Sequence, residues 1–392
     1  MKALIAGGGI AGMTTAIALA RYGVSAQVYE RAPGPEEFGA GLQITPNASR
    51  ILATLGILEA VRGVATSPSA IRILKGSDDS LLARTPLEDA ERRWGAPYLV
   101  LHRADLLGTL VEAAKIEPNV SIRYGTDVLG YAAEGSRVRV VLEDSGIKRD
   151  DEGDFLIGSD GLRSRVRDQL QLRQTDQPIF SGRVAFRATA HSSDVEERWL
   201  RPEIVLRLGQ NAHLVHYPLR GTSMVNIVSV IDSSWRHGEE FDAWDGVADR
   251  PTLDRAFRKW SASVRKLLAS AREWRAWPLY RRPPLANFAY GRAALVGDAA
   301  HPMEPFLAQG AAQAIEDAQA LANALNESKD VASALALYSR MRVARATRVQ
   351  LEASQQGRIY HMSGLAALAR NSVMRILGPD RLLSRYDWIY GA

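Results

Sequence analysis

The chain has no cysteine. That excludes disulfides, thiolate metal ligands, a cysteine nucleophile and attachment of a prosthetic group through sulfur. It agrees with a reducing compartment. Long apolar runs are also missing. No stretch reaches about 18 uninterrupted apolar residues, so no transmembrane helix and no membrane partner are expected. Met1-Lys2-Ala3-Leu4-Ile5-Ala6 runs directly into glycines, which leaves no room for a signal peptide, and the cytoplasm is the expected location. Lysine is scarce, seven of the 49 basic residues. The net charge of +5 is therefore an arginine bias spread along the chain. Blocks of like charge that mark nucleic-acid arms are lacking, and no nucleic-acid partner is expected. Histidines and carboxylates do not cluster at ligand spacing, so no metal is expected.

What is present reads as a large α/β protein. At 392 residues the chain exceeds a single core, and a second lobe is expected. Residues 3–6 are an apolar strand before glycines. Residues 13–22 carry a helical run closed by Gly23. Residues 25–30 form a second strand ending on an acid, which completes a βαβ unit. Helices are expected over 48–58 and 102–114, with a β excursion over 66–98. Strands 120–123, 138–142 and 155–157 return to the first sheet. Residues 176–235 alternate as strands, 252–271 read as one amphipathic helix, and 293–296 as a buried strand. Long helices cover 309–325 and 331–351. The fold class is a Rossmann-like nucleotide-binding domain with a mixed sheet, built from 1–70, 99–175 and 282–345. A β-sheet-rich domain of 71–98 and 176–281 is interleaved with it, and 346–392 is a C-terminal helical segment.

Three segments carry the nucleotide signal. Gly7-Gly8-Gly9-Ile10-Ala11-Gly12 fits G-x-G-x-x-G. Gly7 permits the turn, Gly9 lets backbone approach a pyrophosphate, and Gly12 lets helix and strand pack closely. The helix N-terminus then offers free N–H groups to phosphate. Glu30 stands where a carboxylate accepts from ribose hydroxyls, and Arg31 beside it is a candidate contact for the adenosine end. This turn alone does not separate FAD from NAD. The second segment is 297–317, where Asp298 ends a strand and can accept from a ribityl hydroxyl. Pro305 makes a rigid wall, and Gly310 and Ala311 open a helix facing the N1–O2 edge of a flavin, which becomes negative on reduction. The third is 154–167, where Asp160, Gly161, Ser164 and Arg167 follow a buried strand.

With Gly39-Ala-Gly-Leu-Gln-Ile-Thr-Pro-Asn47, His102-Arg103-Ala-Asp105, Gly182-Arg-Val-Ala-Phe-Arg187, the strand 213–218 and Tyr386-Asp-Trp-Ile-Tyr390, these segments resemble a known family over essentially the whole chain. It is the single-component FAD-dependent aromatic hydroxylases, in the branch of salicylate hydroxylase, 3-hydroxybenzoate 6-hydroxylase and 6-hydroxynicotinate 3-monooxygenase. The resemblance implies a GR2-type FAD-binding domain. It implies non-covalent FAD, NADH or NADPH as co-substrate, O2, and a small phenolic or heteroaromatic acid, hydroxylated through a C4a-hydroperoxyflavin. It places Gly7, Gly9, Gly12, Glu30 and Arg103 at the ADP half of FAD and Asp298 at the ribityl chain. It gives Asp160, Gly161 and Arg167 to a motif serving FAD and NAD(P)H together. Pro305 and Gly310 fall beside the isoalloxazine, and a homodimer is the expected assembly.

Such chemistry needs a group that deprotonates or orients the substrate's ring hydroxyl, a clamp for its carboxylate and exclusion of water. His213, Val215 and Tyr217 point to one face of a strand, and His216 to the other. His213 is a candidate base and Tyr217 a candidate for orienting substrate, while His216 reads as structural. Gln43 can reach flavin or substrate. Arg183 or Arg187 can hold a carboxylate, and Phe306 can pack on the substrate ring. His301 reads as a brace for the Asp298 turn. Trp94, Trp235, Trp244, Trp274 and Trp277 read as core or lobe contacts. Two other functions remain open at this point: an epoxidase or tailoring oxygenase for a larger neutral molecule, and an NAD-binding dehydrogenase. A convergent arginine favours the acid, and a wide apolar pocket the neutral molecule.

Overall fold

In the computed structural model, residues 1–35, 41–170, 176–233, 246–247 and 249–391 are described. Gly39 and Ala40 of the second glycine stretch, Trp235 and Trp244 lie outside them.

The Lys2–Ala6 strand has almost no polar side chain and sits in the middle of a six-stranded sheet. The sheet order runs Ala289–Tyr290, Ala293–Leu295, Phe155–Gly158, Lys2–Ala6, Ser25–Tyr29, Val120–Arg123. All pairings are parallel except that of the outermost two-residue strand, so the sheet is mixed. Both faces are covered, as continuous apolar strands require. The helix Ile10–Ala20 is buried along nearly its whole length and packs on the helix Gly310–Glu327. Both helices are rich in buried alanine, at 16, 18, 312, 318 and 322 among others. Both helices therefore start on the same side of the sheet, at the carboxyl ends of its parallel strands, where ligands bind in open α/β sheets.

The second sheet has eight strands. Its order is Gly246–Val247, Arg275–Arg281, Ile179–His191, Met224–Asp232, Ala212–Leu219, Glu203–Gly209, Ala70–Lys75, Leu81–Pro86. One face is covered by the helices Arg250–Phe257 and Ala262–Ser270 through Leu253, Phe257, Trp260, Val264, Leu267 and Leu268. The other face turns toward the first sheet. Period-2 alternation sets that inner face: Arg183, Ala185 and Arg187 on one strand, Val228, Val230 and Asp232 on the next, His213, Val215 and Tyr217 on the third. Register places Arg187 opposite Val228 and His213 opposite Val230.

Three expectations are corrected. Residues 138–142 do not join the first sheet. They lie in the strand Arg137–Asp144, the centre of a separate three-stranded antiparallel sheet. Gly135 and Gly146, both at positive φ, fold this stretch on itself as two hairpins. The amphipathic run 252–271 is two helices. It breaks where the Trp260 ring fits against Gly76 and Gly209, which have no room for a Cβ, and Ser261 caps the second helix. The division at 345/346 falls inside one uninterrupted helix, Val331–Tyr360. That helix starts beside the first sheet and delivers Tyr360 and His361 to the second. A final stretch, Asp387–Tyr390, seats Tyr390 edge-on against Trp94 and Tyr98. Among the described residues no helix is long and apolar enough to cross a membrane.

Candidate active site

The glycine turn is shaped by close approach. Gly7 has φ of +102°, and a Cβ there would lie 2.5 Å from the carbonyl oxygen of Ser159. A Cβ on Gly12 would lie 1.9 Å from the carbonyl oxygen of Gly7. Gly9, the N-cap of the first helix, differs: a Cβ there meets no atom within 4 Å and would project into open space. Glu30 holds the turn from the second strand. One of its oxygens accepts from the Gly8 N–H at 2.6 Å and the other from the Ala32 N–H at 2.9 Å, which leaves each oxygen a second lone pair. Arg31 is exposed beside it.

A cleft of about 340 Å³ runs from this turn to the inner face of the second sheet. Gly9, Ile10, Ala11, Arg103, Ser159 and Gly161 line one end. Asp298, Met303, Pro305, Ala308, Gly310, Ala311 and Ala314 line its flank. Gln43, His213, Val215, Tyr217, Val228, Val230 and Arg187 line the far end. Two helix N-termini, at Ile10 and Gly310, thus face one cavity and favour negative charge in it. Asp298 stands in the cleft, where solvent reaches it although protein surrounds it. That burial lifts its carboxyl above the usual range, against the pull of His301 and Arg103. Asp160 is similarly raised by burial. Its Oδ2 accepts from the Val166 N–H, and its Oδ1 is buried without a partner.

These features fit a flavin dinucleotide. The turn is closed to a Cβ at Gly7 and Gly12 and open at Gly9 and Gly161, where backbone N–H groups need an unobstructed approach to phosphate. The Gly310 helix start is equally uncrowded, its nearest foreign atom being an Asp298 oxygen at 4.0 Å.

The site's flank is braced from behind. Asp317 accepts from the Gly297 N–H at 2.8 Å and meets His301 Nε2 at 2.6 Å, so His301 does hold the turn. Arg342 donates to Asp317 and Glu316, and Asn47 donates to Glu316 and Gln309. This buried network ties the stretch after Gly41 to the Gly310 helix. Sequence reading missed it. The signal was available: Gln313, Glu316 and Asp317 are polar on an alanine-rich helix that is buried on nearly all sides.

At the far end, Tyr217 is buried and its phenol is pushed up by desolvation, so it is a neutral donor. Gln43 interacts with that hydroxyl and also accepts from Tyr98 Oη at 2.5 Å. His213 is buried too. Burial, His361 and Arg183 hold its imidazole well below the usual value of 6.5, so it is neutral. Arg187 is a cation with no carboxylate opposite it among the described residues. Its Nε is buried without a partner, and its guanidinium lies 5.2 Å from the centre of the Trp277 ring. Burial and the charge of Arg103 lower its pKa. Arg187 also borders an open groove of about 770 Å³ on the other side, which includes Trp277 and Arg275.

Three assignments change. Arg167 does not face the cleft: its side chain is 0% exposed, pairs in two bonds with Asp176, and donates to the carbonyls of Ala299, Ala300 and Pro283. It is a strut under the Asp298 turn. Arg183 is consumed by Glu304 at 3.0 Å and Asp232 at 3.2 Å and is absent from the cleft wall. Phe306 points away from the cleft, because the 3-10 turn Pro305–Leu307 carries its ring against Gly357, Tyr360 and Arg183. His216 lies on the outer face against Trp199 and Arg207, as its parity requires.

His213 and His216 give the fold a pH dependence. Burial depresses both. Below the ordinary value near 6.5 the unfolded chain binds protons that the native histidines refuse, so stability is full above that value and falls as pH drops through it. Asp160 and Asp298 act in the opposite sense, since burial makes their carboxyls hold protons that the unfolded chain releases. The denaturant midpoint is expected to fall between about pH 7.5 and about pH 5.5. A His216→Phe variant should lose part of that slope in the same titration.

The comparisons with known proteins point one way. A family model described as FAD binding domain matches residues 1–353. The chain is 36% identical to 3-hydroxybenzoate 6-hydroxylase of Polaromonas naphthalenivorans (strain CJ2), over 100% of this chain and 96% of the relative. It is 34% identical to 3-amino-4-hydroxybenzoate 2-monooxygenase PtmB3 of Streptomyces platensis, over 99% of this chain and 95% of the relative. Among solved structures, salicylate hydroxylase in a substrate complex matches with a TM-score of 0.82 at 25% identity, covering 100% of this chain and 95% of that one.

Proposed function

The chain belongs to the FAD-dependent aromatic hydroxylases, flavoprotein monooxygenases that use NAD(P)H and O2, and we propose that its substrate is a small aromatic acid of the hydroxybenzoate class. A dehydrogenase built on the first glycine turn alone is thereby excluded. The observation that carries the substrate reading is Arg187, a half-buried guanidinium on the cleft wall with no carboxylate of its own among the described residues. A cation partly withdrawn from water gains from a counter-charge, and a planar carboxylate satisfies it with two hydrogen bonds. A neutral substrate would leave it unpaired.

Bound FAD, reduced by NAD(P)H, supplies the oxygen atom from O2 that enters the ring. Gly9, Gly161, Arg103, Asp298, Gly310 and Ala311 are the residues that would hold it. Arg187 clamps the carboxylate. His213 lies one strand beyond Val228 and Val230 and two residues along from the position facing Arg187, so the two backbones are about 12 Å apart. A benzoate-sized ring bridges the two side chains. His213, neutral and with one nitrogen free, accepts the proton of the ring hydroxyl, which raises electron density at the ortho and para carbons. Tyr217 and Gln43 fix that oxygen by hydrogen bonds. Val215, Val228, Val230, Met303 and Pro305 keep water from the reacting carbon. The same reading places the enzyme in the cytoplasm, in keeping with a chain free of cysteine, and as a homodimer.

With FAD-loaded enzyme, 3-hydroxybenzoate is expected to speed NADH oxidation and to give a dihydroxybenzoate in equal amount. If hydroxybenzoates and hydroxypyridine carboxylates all yield only hydrogen peroxide, the substrate assignment is wrong.

A further inference from the structure

The base on the cleft wall is one end of a chain of hydrogen bonds. Nδ1 of His213 lies 2.8 Å from Nε2 of His361. Nδ1 of His361 lies 2.5 Å from Oδ1 of Asp232. The three come from separate parts of the fold: the Ala212–Leu219 strand, the residue that caps the end of the Val331–Tyr360 helix, and the last residue of the Met224–Asp232 strand. Both histidines are buried, whereas the Asp232 side chain is 41% exposed. The series thus begins in the cleft and ends at solvent.

Its polarity follows from donor and acceptor rules. An ionised Asp232 only accepts, so Nδ1 of a neutral His361 carries the hydrogen. Nε2 of His361 then accepts, and Nδ1 of His213 carries the next one. Nε2 of His213 is left with a lone pair, on the residue that lines the cleft. This assignment of tautomers satisfies both contacts with neutral imidazoles.

We infer that Asp232, His361 and His213 form a proton relay between the substrate's ring hydroxyl and the surface, in which His361 and Asp232 act through His213. The inference rests on the reading of His213 as the base. The hydroxyl O–H bond breaks, leaving its electron pair on the ring oxygen, and the proton joins Nε2 of His213. The proton on Nδ1 of His213 moves to Nε2 of His361. The proton on Nδ1 of His361 moves to Asp232, which becomes a neutral acid in contact with water. Each of three protons moves one place, and nothing is oxidised or reduced. Both hydrogen bonds reverse direction without being lost, so the same series run backward returns a proton to the product oxygen.

The surroundings favour transit over storage. Arg183 faces the relay from the neighbouring strand, donating to Asp232 at 3.2 Å and to Glu304 at 3.0 Å. Tyr360 and Phe306 pack their rings on His213. Tyr217 shares its strand face. Arg370 donates to the carbonyls of Ile359 and Tyr360 just before His361. The cation Arg183 and burial oppose a standing charge on His213, so a proton taken from the cleft does not rest there but leaves through the exposed carboxylate to water.

The test uses FAD-loaded enzyme and 3-hydroxy-4-nitrobenzoate, a ligand whose ring hydroxyl ionises with a visible colour change. The pH midpoint for ionisation of the bound ligand is read from difference spectra. Asp232→Asn and His361→Asn are each expected to raise that midpoint by about one pH unit or more, a tenfold change in the equilibrium. The double variant should add little to the larger single effect. Hydroxylation should fall at low pH and recover at high pH. If His213→Asn raises the midpoint while Asp232→Asn and His361→Asn do not, the relay is overturned and the base reading stands. If His213→Asn leaves it unmoved, the base reading fails as well. Asp232→Asn keeps the shape of a half-exposed side chain, so it decides the matter even if His361→Asn fails to fold.

Discussion

Replacing Arg187 with methionine is expected to raise the KM for the aromatic acid at least about a hundredfold, with the flavin content of the purified protein unchanged. The figure follows from the usual cost of removing one partner from a desolvated, hydrogen-bonded charge pair, about 3 kcal/mol. The effect should be specific to the anion: the carboxamide of the same substrate, which cannot form the pair, should bind native and variant alike. Arg187→Lys should fall between, since an ammonium keeps the charge but not the two-bonded fit to a carboxylate. The stability change is the less obvious part. Arg187 is a half-buried cation with a buried, unpartnered Nε and no carboxylate facing it among the described residues. Methionine removes that burden, so the denaturant midpoint should move up as KM rises. A midpoint that falls, with KM unchanged, would place Arg187 in the framework of the sheet instead of the substrate site.

The second large effect separates two glycines three residues apart. Gly9→Ala should preserve the fold and weaken FAD binding by about 10- to 100-fold. Its φ of −74° suits alanine, and the added methyl meets no protein atom. Among the described residues it obstructs nothing, so it acts on a ligand lying against the helix start, and one displaced charge-assisted hydrogen bond is worth about 1.5–3 kcal/mol. Gly12→Ala should fail differently. Its methyl would sit 1.9 Å from a backbone oxygen, so the first strand and helix must separate, at a cost of about 3 kcal/mol or more. Flavin fluorescence quenching and chemical denaturation of the flavin-free proteins distinguish the two. Equal loss of stability in both would mean that Gly9 is also a packing residue.

Much of this site was legible because its parts are local. The turn from Gly7 to Gly12 and the Asp298–Gly310 stretch are contiguous, and each residue type answers a backbone need at a fixed offset. Period-2 alternation was enough to place His213, Val215 and Tyr217 together and His216 apart. The same rule could not separate Arg183 from Arg187, which share a face. What separates them is Glu304, which stands 121 residues from Arg183 in the chain and neutralises it. Arg167 looked like a ligand because its motif borders the cleft, and only Asp176 and three distant carbonyls show where the guanidinium ends. Phe306 follows a wall residue, but a 3-10 turn rotates each step by about 120°, enough to send its ring to the opposite side. His361 carried no local signal at all: it meets His213 across 148 residues.

The interleaving of the first sheet has a consequence for how the protein is made. Lys2–Ala6 is flanked by Ser25–Tyr29 and Phe155–Gly158, and Phe155–Gly158 in turn needs Ala293–Leu295. The helix that starts at Gly310 emerges later still. At about 5–20 residues per second, a ribosome takes roughly 15–60 s to deliver the stretch between the first strand and that helix. During that interval the nascent chain exposes apolar strand edges that have no partners yet. Flavin capture is therefore a late event, and the Lys2–Ala6 strand keeps one edge open until Phe155–Gly158 arrives. Chaperone demand during synthesis, more than the stability of the finished protein, should limit the yield of active enzyme.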